Sequence, residues 1–242
     1  MKCLKVQYQA MKSEGMSDRE MVFKNRTEAG KMLAGHLRQY QGRNALILAL
    51  PRGGVPVAAA VASALNAELD VVITRKIGAP GNPELAIGAA TSDGTILLND
   101  SLVSSLGVEK DFIDLKVTQA EKEIQEYIRR YRGERPIPKV TDRVVLIVDD
   151  GIATGYTVMA AAEAILRKGP EELVIAVPVA PRESVYELER TTGCQVVTVS
   201  RPAFFVAVGQ FYEDFKQVSD EEVRNALEDY SKYRRVEQKN DD

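Results

Sequence analysis

Histidine occurs once in these 242 residues and cysteine twice, and both shortages exclude chemistry. With His36 as the lone imidazole, a Ser-His-Asp triad would have to use it. It borders a helical stripe, nothing around it supports that role, and the serines lack a Gly-x-Ser-x-Gly elbow. Cys3 and Cys194 are too few and too far apart for a disulfide framework or a zinc site. A basic excess is missing too. The 32 Lys and Arg against 35 Asp and Glu leave a net charge of −3, which argues against a nucleic-acid partner. No apolar run approaches the roughly 20 residues of a membrane span, and no secretory leader is visible. No membrane partner and a cytoplasmic location are therefore expected. There is no Gly-x-x-x-x-Gly-Lys-Ser/Thr loop, no Gly-x-Gly-x-x-Gly, and no internal repeat.

What is present reads as one α/β domain. The length suits a single core, with 45% apolar residues to fill it. Residues 1–22 are read as an N-terminal extension expected to be poorly ordered, 23–232 as the domain, and 233–242 as a polar tail. Asn25 with Glu28 forms a capping box before a stripe of Ala29, Met32, Leu33, Leu37 and Tyr40. Apolar runs at 46–50, 69–74, 144–148, 173–179 and 195–200 read as strands, with further strands at 85–91 and 95–98 around an Asp93-Gly94 turn. Helices are expected at 55–65, 109–131, from the turn after Val148 to about Lys168, and from about Glu183. Ser219 with Glu222 caps a last one. In the long helix, Ile113, Val117, Ala120, Ile124, Tyr127 and Tyr131 share a face, with Glu126 and Arg130 as a surface pair. Continuous apolar strands alternating with helices predict a parallel sheet covered by helices on both faces, with the ligand at the carboxyl ends of the strands.

The most informative stretch is Val144 to Thr157. A buried strand ends in Asp149 and Asp150, followed by the turn Gly151-Ile152-Ala153-Thr154-Gly155 and a helix start at Tyr156-Thr157. Such a turn leaves several backbone N–H groups free around a cavity, and the helix N-terminus adds positive potential, which together suit a phosphate. Two aspartates would repel a bare phosphate, so they suit something attached to it: the vicinal diol of a ribose, or a divalent cation held by one.

That stretch resembles the signature of the type I phosphoribosyltransferases: hydrophobic residues, two acids, then Thr-Gly-x-Thr, here Thr154 to Thr157. Leu50-Pro51-Arg52-Gly53-Gly54-Val55-Pro56 is similar to a branch of that family whose acceptor is undefined. The resemblance implies displacement of pyrophosphate from 5-phosphoribosyl 1-pyrophosphate (PRPP) by a nitrogen acceptor such as a nucleobase, with Mg2+. It implies that Asp149 and Asp150 hold the ribose diol, and the metal largely through water and substrate. Gly151 to Thr157 would hold the 5-phosphate. Arg52, with Gly53 and Gly54 in a loop of free backbone geometry, and Lys76, with Arg75 beside it, would stabilise the departing pyrophosphate. In many members the first loop carries a cis peptide, for which Arg52–Gly53 is the matching bond. The glycine- and proline-rich stretch from Arg75 to Glu84 corresponds to a mobile loop that closes over the reaction, Glu84 having low weight as an acceptor contact. Phe204, Phe205 and Tyr212 are candidates for stacking an acceptor in a small hood. A homodimer stays open. So do a non-catalytic PRPP-sensing regulator and a different sugar-phosphate-binding α/β enzyme.

Overall fold

The computed structural model describes residues 22–92, 94–133 and 135–240, apart from the side chains of 83, 84 and 231–240. The N-terminal stretch up to residue 21, the Asp93 half of the expected turn and the Glu84 side chain lie outside the described residues.

Five parallel strands form the central sheet in the order β2-β1-β6-β7-β8: β1 Leu46–Ala49, β2 Glu68–Val71, β6 Val144–Val148, β7 Glu172–Val179 and β8 Gln195–Ser200. Successive residues of a strand face opposite sides, and the sheet is apolar on both. Ile47, Ala49, Val144, Leu146 and Val148 pack on one face with helices α1 Arg26–Gly35, α2 Gly54–Leu65 and the long α4 Lys110–Arg132. The last helix, α7 Asp220–Asn240, adds Val223, Leu227 and Tyr230 to that face and continues through the stretch read as a tail. Leu46, Leu48, Val145 and Ile147 pack on the other face with α5 Tyr156–Leu166 and α6 Arg182–Thr192. All five residues of β6 are fully buried. At about 1.5–3 kcal/mol for each buried Val, Leu or Ile, this strand is a rigid base for whatever its end carries.

The strands expected at 85–91 and 95–98 form, and the departure from the sequence reading lies just before them. The run 69–74 does not continue as one strand: β2 ends at Val71, and Thr74 opens a second, antiparallel sheet of β3 Thr74–Ala79, β4 Asn82–Thr91 and β5 Ile96–Leu98. The stretch from Arg75 to Glu84, expected as a loop, is therefore largely hairpin, with Gly81 at φ +72° in its tip. Glycines that mark a loop in sequence here serve the tight turn and the shifts of register next to Gly78. The short α3, Asp100–Ser105, and α4 cover this sheet, with Phe112, Ile113 and Val117 packed against Ile77 and Ile87. Met32 is 38% exposed and leaves the expected α1 stripe, while Ala29, Leu33, Leu37 and Tyr40 are buried. Arg130 pairs with Asp220 rather than along its own helix. Ser219 and Glu222 form a reciprocal capping box, Ser219 Oγ accepting from Glu222 N at 3.1 Å and Glu222 Oε2 from Ser219 N at 2.7 Å. Asn25 Oδ1 accepts from Glu28 N at 3.0 Å, but Glu28 Oε2 accepts from Lys24 N instead.

Candidate active site

Strand β6 delivers the acid pair to the carboxyl edge of the sheet. Asp149 Oδ1 accepts from the Asp150 backbone N–H at 2.8 Å. Asp150 Oδ2 accepts from Arg26 Nε at 2.8 Å, the two side chains being 14% and 11% exposed. The Arg26 guanidinium lies 3.9 Å above the Phe215 ring and donates from Nη1 to the Lys216 carbonyl. Burial pushes both carboxyls above the ordinary aspartate range. For Asp149 the neighbouring Asp150 charge pushes the same way, whereas for Asp150 the Arg26 cation opposes the rise. The pair is thus asymmetric: Asp150 is neutralised by the Arg26 cation, and among the described residues no cation contacts Asp149.

The loop after β1 lies directly against these acids. A Cβ on Gly53 would fall 2.0 Å from Asp150 Oδ2, and one on Gly54 would fall 2.7 Å from the Val148 carbonyl and 2.9 Å from Asp149 Cα. Only glycine permits that approach. The cis peptide of this loop is Pro51–Arg52, one bond before the expected Arg52–Gly53. The resemblance locates the loop, not the bond.

The turn after the acids is anchored at its ends and open in its middle. Ile152 N donates to the Val179 carbonyl at 3.0 Å, its side chain is buried, and Ser184 Oγ donates to the Ala153 carbonyl. Gly155, at φ +79°, caps α5 with its carbonyl accepting from Met159 N at 2.8 Å. Gly151 packs on the hood, where a Cβ would meet Val208 Cγ1 at 2.5 Å. Among the described residues, nothing accepts from the backbone N–H groups of Ala153, Thr154, Gly155, Tyr156 or Thr157. A run of unpaired N–H groups at a helix start is an anion site of the kind the sequence suggested. The Tyr156 hydroxyl turns instead toward the second sheet, accepting from Asn99 Nδ2 at 2.6 Å.

Arg52, Arg75 and Lys76 are brought together. They line one cleft of about 640 Å³ with Pro51, Ile73, Tyr127 and Tyr131. Arg75 is held by Glu123 at 3.1 Å and lies 3.9 Å over the Tyr127 ring. Arg52 Nη1 stands 3.9 Å from Asp220 Oδ1. The expected acceptor platform is not assembled in the same way. Phe204 is 69% exposed, Phe205 stacks on Phe211 at 5.4 Å, and Tyr212 is buried between Phe23 and Phe215. The Tyr212 hydroxyl donates to the Asp150 carbonyl at 2.6 Å, so this ring buttresses the acid pair.

Sequence reasoning missed Arg26 and Asp220, and it missed that Tyr127 and Tyr131, which pack with the core as expected, also line the cationic cleft. Arg26 and Asp220 follow capping residues and read as ordinary first-turn positions, and the two tyrosines read as helix core. Among the described residues no three His, Cys, Asp or Glu side chains converge as a metal cage. One free carboxylate beside an anion turn fits Mg2+ carried by a substrate and completed by water, not a chelating protein site.

Fold and site together define a class: a parallel α/β protein with an acid pair and open N–H turn at one strand end and a cationic loop at the next. The chain belongs to the phosphoribosyl transferase domain family, whose model matches residues 18–216. It is 42% identical over 202 residues to proteins of Mycobacterium tuberculosis strains H37Rv and CDC 1551 named "Putative phosphoribosyl transferase Rv0571c" and "Putative phosphoribosyl transferase MT0597". That match takes in 84% of the chain but 45% of each relative, so the chain spans about half the length of the curated relatives it matches. The crystal structure of TT1426 from Thermus thermophilus superposes with a TM-score of 0.75 at 39% identity, over 87% of this chain and 99% of that one. Among the described residues, no helix is long and apolar enough to cross a membrane.

Proposed function

We propose that the protein transfers the phosphoribosyl group of PRPP to a nitrogen acceptor and releases pyrophosphate. Family membership supports phosphoribosyl transfer in general. The observation that carries the finer reading is the contact of three parts: the Gly53-Gly54 loop on the acid pair, the open N–H turn after it, and the cleft shared by Arg52, Arg75 and Lys76.

In this reading the N–H groups from Ala153 to Thr157 and the hydroxyls of Thr154 and Thr157 hold the 5-phosphate. Asp149 accepts hydrogen bonds from the ribose diol, and Asp150, engaged by Arg26, fixes Asp149 and the Gly53 loop in place. Arg52, Arg75 and Lys76 stabilise the negative charge that grows on pyrophosphate as the C1–O bond breaks. Charge placed in advance at a dry site is the main catalytic resource for an oxocarbenium-like transition state. Asp149 would be the side chain placed to hold a substrate-borne Mg2+, which would supply further neutralisation of the leaving group.

The test is a panel of nucleobases and amines offered with Mg2+ and PRPP while pyrophosphate release is followed. Release with one acceptor supports the transferase. Tight PRPP binding without release for any acceptor favours a sensor that keeps the pocket without turnover.

A further inference from the structure

The carboxylate nearest Arg52 belongs to the protein itself. Asp220, the first residue of α7, stands 3.9 Å from Arg52 Nη1 through Oδ1. The same carboxylate accepts from Arg130 Nη1 and from the Tyr131 hydroxyl, both on α4. The Tyr131 hydrogen bond, with Arg130 behind it, holds this carboxyl below the usual range, so it is an anion at neutral pH. Arg130 lies 5.2 Å from the Tyr127 ring that Arg75 covers from 3.9 Å. Asp220 therefore joins three elements around the cationic cleft: the Arg52 loop, α4 and α7. Its contact with Arg52 is long, and the side chains are 28% and 36% exposed, which makes the pair weak and exchangeable.

We propose that Asp220 is a positioning residue that retains Arg52 in the cleft when no pyrophosphate is bound and competes with pyrophosphate for it, favouring product release. This rests on the transferase reading, in which Arg52 meets the leaving group. A dianion or higher brought beside Arg52 must displace the fixed carboxylate, and on release Arg52 returns to it. Removing the Asp220 charge while keeping an acceptor for Tyr131 should therefore tighten pyrophosphate binding.

The experiment is calorimetry of inorganic pyrophosphate with Mg2+ on wild type, Asp220→Asn, Arg52→Ala and the double variant. Asp220→Asn should bind about two- to five-fold more tightly, the size expected of one exposed ion pair. In the Arg52→Ala background the same change should have no effect, since the competition runs through Arg52. Unchanged or weaker binding in Asp220→Asn overturns the proposal, and so does an equal gain with and without Arg52, which would reflect only the general field. Asp220→Ser, which also removes the charge and keeps a hydroxyl, carries the comparison if the Asn variant does not fold. Wild type failing to bind pyrophosphate at all would sink the transferase reading with it. Wild-type binding without a gain on neutralising Asp220 overturns this inference alone.

Discussion

Replacing Arg26 by Met removes the cation that faces Asp150 and leaves a largely buried carboxylate without a counter-charge. Loss of one partner from a fully buried ion pair costs about 3–5 kcal/mol. With the two side chains 11% and 14% exposed, the lower end, about 3 kcal/mol, is expected. The Met thioether can recover part of the contact that the guanidinium makes with the Phe215 ring. For a chain of this size the loss corresponds to a fall in Tm of roughly 6–12 °C. The penalty should also depend on pH. Burial raises the Asp150 carboxyl above 3.8 and Arg26 pulls it back down, so without Arg26 it rises further. A carboxyl raised in the folded state contributes stability that is fully present below its unfolded pKa and lost as pH rises through its folded value. The deficit of the variant relative to wild type should accordingly shrink as pH falls toward about 4 and grow toward neutrality. Thermal melts of both proteins at a series of pH values measure this. A deficit under about 1 kcal/mol, or one equal at every pH, would refute the reasoning, since Asp150 would then have another source of charge balance.

Arg52→Ala should weaken pyrophosphate binding and turnover while leaving ribose 5-phosphate affinity nearly unchanged, because that ligand lacks the group Arg52 is assigned to; equal losses in calorimetry would place Arg52 in the fold instead. Gly53→Ala should destabilise the protein by about 1–3 kcal/mol in denaturant titrations, because the added methyl would sit 2.0 Å from Asp150 Oδ2 and must displace the loop or the acid. Hypoxanthine and guanine should be poor acceptors. In the 6-oxopurine branch of the family an Asp within the turn faces the purine N7 and handles its proton, and here the matching position is Ala153. Such general acid–base help is worth roughly two to four orders of magnitude. Nucleotide formation from guanine at the rate of a dedicated salvage enzyme would contradict this.

The features legible in sequence are those written in local pattern. The run from Val144 to Thr157 carries its own strand, acids, turn and helix start, and all fall where the residues place them. The central sheet and its helices follow from alternating apolar runs. What is not legible depends on residues far apart in the chain. Arg26 and Asp150 are 124 positions apart, and neither a capped helix start nor a strand end announces the pairing. Asp220 and Arg52 are separated still further and meet only because α7 packs beside α4 and α2. The hairpin after Thr74 reads as a loop in sequence because Gly78, Pro80 and Gly81 are turn formers, and propensity cannot show that flanking residues pair across the turn. Tyr212 illustrates the same limit: a Tyr in a candidate hood can stack on a ligand or brace a neighbour, and here it braces Asp150.

The central claim is that the end of β6 is a PRPP site organised around one available carboxylate. Calorimetry of PRPP with Mg2+ on wild type and Asp149→Asn tests it most directly, since the substitution keeps the shape and removes only the charge assigned to the ribose and its metal. One PRPP should bind per chain, and the variant should bind at least about ten-fold more weakly, the scale of a lost charge-assisted hydrogen bond. Unchanged affinity in Asp149→Asn, or no binding by the wild-type protein, would contradict the account.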